Sequence, residues 1–145
     1  MGKVKGVFGL DPVDSSTPPE AVTGMASIGV PVAFVGETTD SDGMNACAPA
    51  ADNYEVLYGA ASSPAVAITA IGASHPMFED PAHCSFCSLC APGTAKASVV
   101  LDSSVRYLTA FFARELLGDA SVGPSFDGAG AKLDVAAGLV TIQSK

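Results

Sequence analysis

Two groups of residues in this chain could do chemistry beyond packing. The first centres on His75, in Gly72-Ala73-Ser74-His75-Pro76-Met77-Phe78, directly after the apolar run Ala65-Val66-Ala67-Ile68-Thr69-Ala70-Ile71. A histidine so placed can act as a general base when a carboxylate holds its second nitrogen, fixing the tautomer and stabilising the imidazolium. Asp40 and Asp42 follow a second apolar run, Val30 to Gly36, and Asp11 and Asp14 follow a third, Val4 to Leu10. Asp40 stands at the matching point of the preceding run and is the natural orienter. An isolated histidine is more often a hydrogen-bonded loop residue; carboxylates at matched positions favour catalysis. The second group is Cys84-Ser85-Phe86-Cys87-Ser88-Leu89-Cys90, preceded by His83, with Cys47 well upstream. Its C-x2-C-x2-C spacing matches the first three ligands of a bacterial ferredoxin run, but no fourth cysteine with proline follows. Cys47 and His83 could complete a zinc set, and disulfides and free thiols also stay open.

The elements that must position these residues are legible from hydrophobic runs and stop signals. Val4 to Leu10, Val30 to Gly36 and Ala65 to Ile71 are continuously apolar, as strands of a buried parallel sheet are, and Pro31 fits the first residue of its strand. Asn53 is a plausible N-cap for a helix from Tyr54 to about Ala61. Leu101, Val105, Leu108, Phe112 and Leu116 form one stripe of a late helix, with Asp102 or Ser103 as its start, Asp102 facing Arg106, and Gly118 as its stop. Residues from Asp119 onward are Gly- and Ser-rich, with one expected strand from Gly138 to Gln143. Strands alternating with helices predict an α/β fold, a parallel sheet with flanking helices, and in such folds ligands sit outside the carboxyl ends of the strands. Asp11 and Asp14, Asp40 and Asp42, and His75 fall there.

Bulk properties exclude some partners. With a net charge of −8 and seven Lys and Arg in 145 residues, the chain is a poor match for nucleic acid or anionic lipid. No apolar run approaches the roughly 20 residues of a membrane span.

Several segments together resemble one family. They are Gly9-Leu10-Asp11-Pro12-Val13-Asp14, Pro31 to Asp40, Cys47-Ala48-Pro49 with Asn53 and Tyr58, Gly72-Ala73-Ser74-His75 with Phe78 and Asp80, and Tyr107 to Phe112 with Leu116 and Gly118-Asp119. In this pattern, from about Val4 to Asp119, the chain is similar to the chlorophyllase-like branch of the α/β-hydrolases, close to the dienelactone-hydrolase and polyester-hydrolase groups. The resemblance implies a serine carboxylesterase acting on a hydrophobic ester, with no cofactor and with His75 as the triad base. The wider fold places the triad acid after the strand ending at Gly36, which gives Asp40; chlorophyllases favour the Asp-Pro-Val-Asp segment, which gives Asp11. Asp40 is preferred here. Met77 and Phe78, beside the histidine, suggest an apolar substrate pocket, although such residues are more often plain packing. Cysteines that pair occur at this place in similar esterases, so disulfides among Cys47, Cys84, Cys87 and Cys90 become the first reading and metal the second. A bridge from Cys47 to the later run would staple two site loops and imply an oxidising compartment, secreted or periplasmic.

The departure from the family is the nucleophile. A G-x-S-x-G elbow is not found: Gly24 to Gly29 and Gly123 to Gly128 both have the wrong spacing. Residues 1–145 are therefore expected to form a single partial domain, the C-terminal half of the hydrolase fold, with a core over about 4–119 and an extension over 120–145. Alone it is expected to be inactive, the serine coming from a missing N-terminal half or a partner chain. Two alternatives remain: a non-catalytic interaction module that self-associates through its open sheet edge, and a Cys-rich metal-binding protein.

Overall fold

The computed structural model describes residues 3–14, 17–39, 46–79 and 87–145, without the side chains of Cys87 and Pro124. The three apolar runs form strands β1 (Val7–Leu10), β2 (Val32–Gly36) and β3 (Ala65–Ala70). They pair in parallel, Phe8 opposite Ala33 and Val35 opposite Ile68. Alternation along β2 and β3 feeds two cores. Ala33, Val35, Val66 and Ile68 face one side, with Tyr107, Ala110 and Phe111; Val32, Phe34, Ala65 and Ala67 face the other, with Met25, Tyr54 and Leu57. Every residue of β2 is buried, which is why its sequence shows no polar alternation.

Helices α1 (Glu20–Met25) and α2 (Tyr54–Ala60) are the crossovers and cover the second of these faces. A sheet that grows in one direction by crossovers of one hand puts their helices on one face. Asn53 caps α2, its Oδ1 accepting from the Glu55 amide at 2.9 Å. Gly36 exists for α2: a Cβ there would lie 1.9 Å from Tyr54 Cδ1. Tyr54 is fully buried and its hydroxyl is bonded to Thr69 at 2.6 Å, so the ring has nowhere to retreat. Gly36→Ala is accordingly expected to destabilise the fold by about 3 kcal/mol, at the upper end for an overpacked core. Urea unfolding should show a lower midpoint at unchanged slope.

The first face is covered by α3 (Ala97–Leu117), which ends as expected at Gly118 in the left-handed conformation (φ 67°). Two expectations for this helix are corrected. It begins at Ala97, ahead of Asp102 and Ser103. Its buried face is Val100, Ser103, Ser104, Tyr107, Ala110 and Phe111, not the stripe from Leu101 to Leu116, of which Leu101, Val105 and Leu116 are exposed. The two stripes differ by one residue, about 100° around the axis. Small residues decide between them. Ser103, Ser104 and Ala110 let the helix approach the sheet, and the Ser104 hydroxyl is satisfied within the helix by the Val100 carbonyl at 2.8 Å. Arg106 pairs with Asp134 at 2.7 Å, where the helix spacing suggested Asp102.

The sheet is mixed. Residues 120–145 do more than extend the core: a 3₁₀ turn (Ala120–Ser125) leads to α4 (Ala129–Ala136) and to β4 (Val140–Ser144), which pairs antiparallel with β3, Ile142 opposite Ile68. The order is β1-β2-β3-β4, with β1 at one edge. Tyr107 anchors this last section to α3 by donating to Asp134 at 2.5 Å, and burial together with that bond holds its phenol protonated, its pKa well above the usual value. Among the described residues no helix is long and apolar enough to cross a membrane.

Candidate active site

Asp11 follows the last residue of β1, and its amide donates to the Val35 carbonyl of β2 at 2.6 Å, continuing the ladder one step past the strand. Its backbone then turns through a left-handed conformation (φ 38°), which aspartate tolerates better than most residues. The side chain ends up fully buried, 0% exposed.

The loop after β3 is clamped from two sides. Gly72, at φ 74°, accepts through its carbonyl from the Thr94 and Ala95 amides at 2.8 and 2.9 Å, and its own amide donates to Thr38 Oγ1 at 2.8 Å. A Cβ on Gly72 would sit 2.5 Å from Thr94 Oγ1, so glycine is required for the close approach as well as the dihedral. The Ala73 carbonyl accepts from the Thr39 amide at 3.2 Å and from the Thr39 hydroxyl. Glu37, itself buried, accepts from the Thr39 amide and steadies that side. After this clamp the chain enters a 3₁₀ turn, His75–Phe78, with Pro76 in its first positions.

The two strand ends deliver one pair. His75 Nδ1 lies 2.7 Å from Asp11 Oδ2, with the imidazole 22% exposed. An ionised carboxylate can only accept, so Nδ1 carries the proton in this bond and Nε2 is the nitrogen left to take one. A buried anion against one nitrogen of a partly exposed ring suits a general base: the carboxylate favours the imidazolium that forms when Nε2 accepts a proton. Nε2 lies 3.6 Å from Glu79 Oε1, one turn further on.

Of the expected site residues, the structure brings His75 and Asp11 together. Asp40, the preferred acid, lies outside the described residues, as do Asp42, Asp80, His83 and Cys84. Asp14 is engaged elsewhere, accepting from the Val22 amide at 2.9 Å near the start of α1. Met77 lines a cavity of about 600 Å³ with Glu79, Cys90, Pro92, Ala97 and Leu101. Phe78 instead packs against the cores under α3. Cys47 and Cys90 form a disulfide, joining the loop that follows β2 to the segment that follows His75. No group of three potential metal ligands occurs among the described residues. Nothing in the sequence marks Thr38, Thr39, Gly72 and Thr94 as clamps, and the only signal for Glu79 is its position four residues after His75.

No family model matches the chain, and no curated protein matches it. Fold and site define a class in their own terms: an α/β protein with a mostly parallel sheet and, at its carboxyl edge, a buried aspartate paired with a partly exposed histidine.

Proposed function

We propose that this chain contributes the acid and base of a carboxylic-ester hydrolase, Asp11 orienting His75 and His75 activating a serine hydroxyl held on polypeptide outside residues 1–145. The observation that carries the reading is the 2.7 Å contact between Nδ1 and a carboxylate with no solvent exposure, at the edge of the sheet where α/β proteins bind ligands. The resemblance of the Asp-Pro-Val-Asp and Gly-Ala-Ser-His segments to chlorophyllase-like hydrolases supports the ester as substrate, and the Cys47–Cys90 bridge ties the loop after β2 to the segment that follows His75. In the reaction Nε2 takes the serine proton as the hydroxyl oxygen attacks the ester carbonyl, then returns it to the leaving alcohol.

The test is hydrolysis of a nitrophenyl ester by this chain together with the serine-bearing polypeptide. Activity is expected only with both, and it should vanish on His75→Ala. Turnover that survives this substitution would end the reading.

A second reading is favoured by one feature, the place of β1 at the sheet edge, where its unpaired backbone groups can template another strand. In that case the chain is an interaction module, and sedimentation should show self-association that Leu10→Pro abolishes, because the amides of Val7 and Asp11 donate to β2 and that of Leu10 faces the open edge.

A further inference from the structure

The cavity beside the histidine turn is not accounted for by acid and base. It is bounded by Pro76 and Met77 of the turn, by Cys90 to Gly93 of the bridged segment, and by Ala97, Ser98 and Leu101 at the start of α3. Its volume of about 600 Å³ falls in the range of small-molecule sites, which is roughly 300–1,000 Å³. Gly93 makes room for the wall: a Cβ there would come within 2.5 Å of Met77 Cε. The lining is apolar apart from Ser74, Ser88, Ser98 and Glu79, and Glu79 also stands 3.6 Å from His75 Nε2. One carboxylate therefore sits at the junction between an apolar chamber and the nitrogen that would do the chemistry.

We propose that this cavity receives the apolar arm of a neutral substrate, a long alkyl chain in its simplest form, and that Glu79 is the specificity-determining residue that turns carboxylates away. The proposal rests on the reading of His75 as the base of an ester hydrolase, since it is Nε2 that Glu79 guards. A neutral ester passes Glu79 without penalty, whereas a fatty acid in the same pose would bring a second negative charge against it. Glu79 thus favours substrate over the carboxylate product, and product leaves.

Binding separates this from the catalytic reading, because it needs no serine. The purified chain, loaded with the neutral dye Nile red, is titrated with 1-dodecanol and with dodecanoate near pH 8, where the fatty acid is a carboxylate. Dodecanol should displace the dye, and dodecanoate should do so roughly tenfold more weakly, a Coulombic penalty moderated by the partial exposure of Glu79. Glu79→Gln should bring dodecanoate to within roughly threefold of dodecanol. Ala97→Trp, which fills the chamber from an exposed position, should abolish displacement by both, and Ser98→Trp repeats the test from the neighbouring lining residue. Equal affinity for the two ligands in the unaltered chain would overturn the role of Glu79, and dodecanol bound as tightly by either folded Trp variant would overturn the cavity. Loss of the esterase reading through an active His75→Ala protein leaves the binding result standing, so the two failures are told apart.

Discussion

Asp11→Asn is expected to lower kcat for ester hydrolysis, in the protein complete with its serine, by about 10³ to 10⁴. The amide keeps the shape of the side chain but presents a neutral group to Nδ1. It no longer stabilises the imidazolium, and by donating through its NH₂ it can force the proton onto Nε2, the wrong tautomer for a base. Asparagine is also the substitution that isolates chemistry from folding. The position has φ 38°, a left-handed conformation that Asn adopts readily and Ala resists. A structural role alone would move stability and leave the histidine untouched. An orienting role moves the ring: by NMR, the His75 pKa should fall in Asp11→Asn relative to the unaltered protein, because an opposite charge at 2.7 Å has been removed. An unchanged titration together with unchanged kcat would remove Asp11 from the mechanism.

The choice between Asp11 and Asp40 shows how far the residues could be read without coordinates. Both follow apolar runs; offset from the strand end favours Asp40, whereas the resemblance to chlorophyllases gives Asp11. Position in the chain does not reveal which strand end lies beside which. The ladder bond from the Asp11 amide to Val35, and the left-handed turn at Asp11, are what aim its carboxylate inward. The strands themselves were legible because burial on both faces leaves continuous apolar runs, and the Asn53 cap and Gly118 stop because each residue type answers a specific backbone need. The face of α3 was not. Periodicity picked the bulkiest stripe, Leu101 to Leu116, whereas packing against a sheet chose the neighbouring stripe with serines and alanine that permits close approach. β4 was half-legible, a short strand seen without its partner, since antiparallel pairing with β3 depends on α3 and α4 carrying the chain back to that edge.

Loss of the Cys47–Cys90 disulfide is expected to cost about 4 kcal/mol of stability, from the entropy of closing a loop with 43 residues of separation in the unfolded chain. Urea unfolding with and without reductant, and of the Cys47→Ser/Cys90→Ser double variant, checks this; coincident midpoints would show that the bridge does not stabilise the fold. The effect on the site should be uneven. The Gly72 carbonyl still accepts from Thr94 and Ala95, and Ala73 is still held by Thr39, so the loop that carries His75 keeps its clamp when the bridge is gone. The wall from Cys90 to Gly93 has only part of that support. Below the unfolding transition, reduction should therefore weaken Nile red binding in the cavity while the His75 titration stays where it was. The opposite pattern, a shifted histidine and an intact cavity, would mean that the disulfide and not the Gly72–Ala73 hydrogen bonds is what sets the imidazole against Asp11.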